Sequence, residues 1–448
     1  MLTIDSALER LTLLIDRARQ AGATAADAIY VEDASVSAQV RLGELEDVSR
    51  SEGAEIGLRV FVGNQVASVS TSDFSTKGYD ALVERVVAMA KAAPSDPYAG
   101  LAPEELLMKG NVPDLDLYDA TTVDADLLKM DALAAEEAAR SVPGVTNSEG
   151  ASASAGEVVI AIATSGGVAH GYRTTSHGVS ATVIAEGKDG MERDYDYASA
   201  RHRSDLRSPE EVGRRAGERT VRRVNPIKLA SETMPVVFDP RIASGLIGHL
   251  IGAITGSSIA RKSSFLLDAR GKPVFAPGVT IREEPLRLRG LRSRPMDGEG
   301  LPTRTLDIVS DGVLTTWLMD SASARQLGEQ PTGHASRGIS GPPGTSVGNL
   351  MLMPGTSSRE DMLRDIKRGI YVVELIGMGV NGITGDYSRG AAGFLIENGE
   401  ITTPVSEITI ASNLKDMFAS LVPASDLELR YGIDAPTVLL PRMTVAGN

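Results

Sequence analysis

Short Val/Ile-rich runs, cut at close intervals by glycine, recur along most of this chain and constrain its fold more than any other feature. Glycine occurs 46 times in 448 residues, while aromatic residues make up only 4%. Such a chain reads as sheet joined by turns that need positive φ. Helical stretches fall among the strands without regular alternation. The expectation is an α+β fold, not a doubly wound α/β sheet.

Periodicity places the elements. An opening helix puts Leu8, Leu11, Ile15 and Ala18 on one stripe. Strands are predicted over 27–31, 35–42, 54–62 and 65–70, with turn signals at Leu42-Gly43 and Gly63-Asn64. Residues 77–92 read as a helix burying Leu82, Val86, Met89 and Ala93, stopped by Pro94. A Pro- and Asp-bearing connector leads to a second helix over 125–141. Strands resume from Val145, are broken by Ser165-Gly166-Gly167, and give way to a polar helix over 209–224 with Arg at 214, 215, 219, 222 and 223. At Asn225-Pro226 the character changes. An apolar strand over 234–238 and a Gly-rich helix over 240–255 open a series of glycine-punctuated strands, with one further helix over 358–368. The predicted organisation is an N-terminal α+β domain of mixed sheets and long helices (1–225, with a subdomain split near 95–120). A Gly-rich, mostly antiparallel β domain with a few helices follows (226–448), the boundary lying near 225–233.

Composition narrows the chemistry. Cysteine is absent, which excludes disulfides, thiolate metal sites and a Cys nucleophile. A net charge of −14 repels a phosphate backbone, so nucleic acid is not an expected partner. Asp5, Glu9 and Asp16 interrupt the first apolar run, so no export signal is read there. No stretch approaches the roughly 20 apolar residues of a membrane span. The expected location is cytoplasmic, with no membrane partner.

Sequence motifs repeat the order found in one family. These are GLRV at 57–60, GAITGSSIARKSSFL at 252–266, SRPMDGEG at 293–300 with Pro302-Thr303, GMGVNGITGDYSRG at 377–390, and FLIENGEI at 394–401 with Pro404-Val405. In this order the chain resembles the TldD/PmbA metallopeptidase family, also called modulators of DNA gyrase, and within it the TldE/PmbA type of subunit. The resemblance implies that TldD-like members carry zinc on H-E-x-x-x-H plus a distant Cys. In the matching segment here His249 stands at the first ligand position, Leu250 replaces the Glu, and Ile254 replaces the second His. A hydrolytic zinc site needs about three ligands, an open position and a base. The expectation is no catalytic residue, no metal and no cofactor in this chain, zinc being confined to a TldD-like partner. The five histidines, at 170, 177, 202, 249 and 334, offer no i, i+4 pair. His249, on an apolar helix, reads as a core residue.

Further candidates for peptide or cavity contacts are Asp297, Glu299, Asp386, Tyr387, Ser388 and Arg389. Asp297 and Glu299 would project from one face if extended, about 6–7 Å apart, a spacing open to acid/base work or a divalent cation. The favoured reading is a turn whose carboxylates accept backbone N–H groups. Residues 385–390 read as a tight loop in which Asp386 caps the turn and Arg389 binds a carboxylate, either internal or on a peptide. Ser388 lacks a neighbouring base in sequence. Gly377 to Gly382 matches G-x-G-x-x-G only in composition, because no helix follows. Three functions stay open. The first is a non-catalytic subunit that pairs with a TldD-like chain and helps enclose unfolded peptides, such as peptide-antibiotic precursors or a labile antitoxin. The second is an independent hydrolase using Asp297, Glu299 or Ser388. The third is a protein-binding modulator related to DNA gyrase. Alone, the chain is expected to form a two-fold homodimer.

Overall fold

The computed structural model describes residues 1–188 and 190–447. The chain opens with α1 (Ile4–Gln20), β1 (Ala25–Arg41), β2 (Glu44–Val62), β3 (Gln65–Thr71) and α2 (Thr76–Ala92). It continues with α3 (Ala125–Arg140), β4 (Asn147–Thr164), β5 (Ala169–Gly187), β6 (Gly190–Ala200) and α4 (Pro209–Arg222). These strands make one sheet in the order β3-β2-β1-β4-β5-β6. Every ladder in it is antiparallel, which corrects the expectation of mixed sheets in this half.

The strands are also longer than sequence reading gave. β1 is one strand of 17 residues and not two, because Glu32, Asp33 and Ala34 keep pairing with both neighbours. The lapse in apolar alternation there marks a gap between two cores. One core lies under α1 and α2 with Leu11, Tyr30, Leu58 and Val86. The other lies under α3 and α4 with Val40, Leu128, Ala181 and Val212. The first ten residues of β2 are all exposed. Only their ladder to β1 fixes them as strand, and no periodicity announces them. The turns fall where predicted: Leu42 and Gly43 have φ of 53° and 86°, and β4 ends just before Ser165. Met89 does not share the buried face of α2; it is 48% exposed.

The second half runs β7 (Glu232–Phe238), α5 (Pro240–Ala253), α6 (Gly256–Ala260), β8 (Ile281–Glu283), β9 (Leu306–Ser310), β10 (Val313–Leu314), α7 (Ser321–Leu327) and β11 (Ala335–Ser336). Next come β12 (Gly344–Thr345), β13 (Leu350–Leu352), α8 (Arg359–Arg364), β14 (Arg368–Ile376), β15 (Asp386–Glu397) and β16 (Glu400–Asn413). The chain closes with α9 (Leu414–Ser420), β17 (Val422–Pro423), β18 (Ile433–Asp434) and β19 (Val438–Ala446). The helix predicted to reach 368 stops at 364, and Arg368 opens β14. One sheet is ordered β10-β9-β8-β13-β18, and β11 pairs with β12. The other is β16-β15-β14-β7-β19-β17, and the additional pairing of β16 with β19 closes five of its strands into a ring. Pairing is mostly antiparallel, with parallel ladders at β7/β14 and β13/β18. The fold class is α+β. No helix among the described residues is long and apolar enough to cross a membrane.

The two halves meet closely. On β2, an ideal Cβ on Gly57 would lie 1.8 Å from the Ile339 carbonyl oxygen, so the motif glycine permits that backbone approach. The connector helps hold the halves together: Met108 N–H donates to the Gly300 carbonyl at 2.8 Å, and Arg325 donates to the carbonyls of Tyr98 and Gly100.

Candidate functional site

Helix α5 carries the zinc-motif segment. Asp239 caps it, accepting from Arg241 N–H at 3.0 Å, and Pro240 occupies the first turn. Ala243, Leu246, Ile247, Leu250 and Ala253 form its buried stripe, the spacing of a helix laid on a core. Gly245, Gly248 and Gly252 lie on the opposite side, with no heavy atom within 4 Å of an added Cβ. Positions 249 and 254 are five residues apart, roughly 140° around a helix. His249 accordingly turns toward Tyr387, ring centroids 5.9 Å apart and nearly perpendicular. Leu250 and Ile254 are fully buried in the main apolar core.

The 385–390 segment is not a loop beyond its first residue, since β15 starts at Asp386. Alternation along the strand then sorts the candidates. Tyr387 and Arg389 share the face turned to α5, while Asp386 and Ser388 are exposed on the other. Asp386 fixes the preceding turn, accepting from Thr384 Oγ1 at 2.7 Å and Asn413 Nδ2 at 3.1 Å. These bonds hold its carboxyl below the ordinary range. Ser388 therefore faces away from the imidazole of His249.

His249, Tyr387 and Arg389 come together. Burial pushes the His249 pKa down and the Arg389 charge adds to it, so the imidazole is neutral at neutral pH. Burial raises Tyr387 to about 12 against the opposing pull of Arg389, so its hydroxyl keeps its proton. That hydroxyl and Arg389 Nε are buried without an aligned hydrogen-bond partner. Arg389 also lines a cleft of about 430 Å³ between the two halves of the molecule. The first half supplies Asp194, Tyr195 and Arg223; the second supplies Arg241, Gly245 and Glu374. Asp194 accepts from Arg241 Nη1 at 2.9 Å and lies 3.6 Å from Arg223; Arg223 also pairs with Glu374. Sequence reading missed these cleft residues. The arginine-rich face of α4 was their one visible signal, and its Arg215 and Arg219, with Arg207 before the helix, gather on the buried Asp196.

Asp297 and Glu299 belong to a different place. Asp297 opens a tight turn in which Gly300 has φ of 90°. Its carboxylate accepts from the N–H groups of Glu299, Leu301 and Ala335 at 2.9, 2.9 and 3.0 Å. Gly298 is required there because an added Cβ would lie 2.4 Å from Arg337 N. Glu299 accepts from Ser321 N–H at 2.8 Å and lies 3.6 Å from Arg59. Arg59 and Arg337 both hold Asp27, at 2.7 and 3.2 Å. Burial pushes the Asp297 and Glu299 carboxyls above the ordinary range, against the donors around them. The geometry is a buried ion-pair cluster joining β1 and β2 to the second half. It is spent on structure.

The remaining histidines are dispersed. His177 is buried 3.3 Å from Asp119, and His202 lies 3.2 Å from Asp116. His334 bridges Glu283 at 2.7 Å and Thr332 at 2.8 Å; His170 is half-buried on β5. Among the described residues, no three His, Asp or Glu side chains gather as a metal-ligand set.

Three family models match in sequence order: PmbA/TldA metallopeptidase domain 1 over residues 26–90, the central domain over 115–224 and the C-terminal domain over 231–447. Metalloprotease PmbA of Escherichia coli O157:H7 is 43% identical over 415 residues, 92% of this chain and 90% of its own. The chain belongs to the PmbA/TldD metallopeptidase family. A crystal structure of a putative modulator of DNA gyrase from Bacteroides thetaiotaomicron superposes with a TM-score of 0.92, at 27% identity and full coverage of both chains. TldE from Thermococcus kodakarensis shares the fold, with a TM-score of 0.87 and 20% identity over 98% of this chain and all of its own. The zinc implied by the family name does not fit this segment. Two of its three motif positions point into an apolar core, and the neighbour that bears on His249 is a cation.

Proposed function

We propose that this chain is the non-catalytic, TldE/PmbA-like subunit of a cytoplasmic zinc metalloprotease pair. In this reading it joins a TldD-like catalytic chain and helps enclose unfolded peptides during maturation or degradation. The observation that carries the proposal is the burial of Leu250 and Ile254 in the core beneath α5. Both side chains lie on the core side of α5, away from the face that carries its exposed glycines. An independent hydrolase is disfavoured because Asp297 and Glu299 are committed to backbone donors and arginines, while Ser388 faces away from His249. The gyrase-modulator reading would require a protein-binding surface, since a net charge of −14 still opposes DNA itself.

Elemental analysis of the purified chain should find less than about one-tenth equivalent of tightly held zinc, and stoichiometric zinc would overturn the proposal. Mixing with a TldD-like chain bearing H-E-x-x-x-H should yield a stable pair that cleaves an unfolded peptide. The isolated chain should sediment as a two-fold dimer at micromolar concentration, and a monomer alone would count against retention of the subunit surface.

A further inference from the structure

The cleft between β6, the end of α4, α5 and β15 holds one cation more than its carboxylates use. Asp194 is taken by Arg241 and Arg223, and Glu374 by Arg223. Arg193 pairs outward with Glu149 at 3.0 Å. Arg389 has no carboxylate partner among the described residues, and its Nε is buried without a hydrogen bond. Two residues away on the same face, the buried Tyr387 hydroxyl lies within reach of the Arg389 guanidinium and supplies it no negative charge. Buried donors left unpaired are unfavourable and rare in native structures. A carboxylate would satisfy Arg389, since its oxygens match the planar guanidinium fork.

The surroundings favour the end of a chain over a free anion. Ile242 and Leu375 line the same cleft as Arg389, and Leu375, paired with Ala391 in the β14/β15 ladder, is on the Arg389 face of the sheet. The glycine face of α5 leaves open space beside the cleft. A lone cation bordered by apolar side chains suits a ligand that carries both a carboxylate and an apolar residue.

We propose that this cleft binds the C-terminal carboxylate of an extended peptide with apolar last residues, Arg389 anchoring the carboxylate and Ile242 and Leu375 meeting the apolar side chains. The proposal deepens the peptide-enclosing reading above and rests on it for its substrate class. The test is fluorescence anisotropy on the isolated full chain, using a labelled unstructured peptide ending in Ala-Leu-Leu, as free acid and as C-terminal amide. The acid should bind at least about tenfold more tightly, the worth of one charge-assisted contact. Arg389→Gln should lower the acid to the level of the amide, and Arg389→Lys should keep part of the difference. Equal affinity for acid and amide, or no loss in an Arg389→Gln protein that melts like wild type, overturns the proposal. If that variant does not fold, Gly245→Leu carries the test: its side chain enters the open cleft, so unchanged acid binding overturns the proposal too. Sodium acetate competing at the concentration of unlabelled peptide would mark a simple anion site and overturn the peptide assignment. No partner chain is needed, so the two readings fail separately. Acid-selective binding without pairing removes the subunit proposal, and pairing without acid selectivity removes this one.

Discussion

Two groups of charged side chains sit where the halves of the molecule meet, and they use the same chemistry to opposite ends. In the Asp27–Arg59–Glu299–Arg337 cluster, each carboxylate is met by arginines or backbone N–H groups, with one Arg337 nitrogen left over. Arg389, by contrast, lines a cleft, keeps a buried Nε without a hydrogen bond and meets no carboxylate among the described residues. A cluster that satisfies itself fixes a structure; donors held unsatisfied beside open space are available to a ligand. The lesson is that carboxylates from a family motif, buried and with raised pKa, need not mark chemistry. What separates the two groups is where their hydrogen bonds go.

The largest effect should come from forcing chemistry onto the wrong face of α5. Leu250→Glu with Ile254→His places a carboxylate where Leu250 is fully buried. The loss should be about 5 kcal/mol or more, combining lost packing with an unpaired buried charge. A thermal melt and a zinc-dependent cleavage assay check this; a near-native melting temperature with robust cleavage would mean that the site is close to intact. Next in size is Asp27→Ala, which takes their shared carboxylate from two buried arginines and leaves Arg59 with Glu299 at 3.6 Å. It should cost about 3–4 kcal/mol by urea titration, and a change under about 1 kcal/mol would show the cluster to be dispensable.

A smaller effect concerns acid stability. Burial raises the Asp196 pKa, but the hydrogen bond from Arg207 and the charges of Arg219, Arg207 and Arg215 outweigh it, and the net shift is downward. A carboxyl with a depressed folded pKa contributes stability that is present above its unfolded value, about 3.9. That contribution is lost as pH falls through the folded pKa. Stability followed from pH 6 to pH 2 should therefore decline less steeply in Asp196→Asn than in wild type; parallel curves would contradict the assignment. The smallest effect is expected at the cleft. Arg389→Gln removes a cation that has no carboxylate partner among the described residues and should change stability by no more than about 0.5 kcal/mol, in contrast to Asp27→Ala. A loss comparable to that of Asp27→Ala would show Arg389 to be structural after all.

Local pattern made several elements legible. The α1 stripe of Leu11, Ile15 and Ala18, the turn at Leu42-Gly43, the break at Ser165-Gly166-Gly167 and the Pro240 start of α5 follow from side-chain period, positive φ and the place of proline in a first helical turn, which neighbours in sequence decide. The substitutions at 250 and 254 were legible too, because a ligand that is absent from the chain needs no coordinates to be missed. The long strand β1 and the exposed half of β2 were not, since their pairing partners lie across the sheet and Glu32 and Asp33 carry no apolar signal. The fate of Asp297 and Glu299 was equally hidden: whether a carboxylate is free or fully bonded depends on Ala335, Ser321 and Arg59, brought there only by folding. Tertiary structure alone placed Arg389 in a cleft walled by Asp194, Arg223 and Arg241. Sequence fixes which donors exist, but the space beside them and the partners left for them arise from the meeting of two halves that the chain joins far apart.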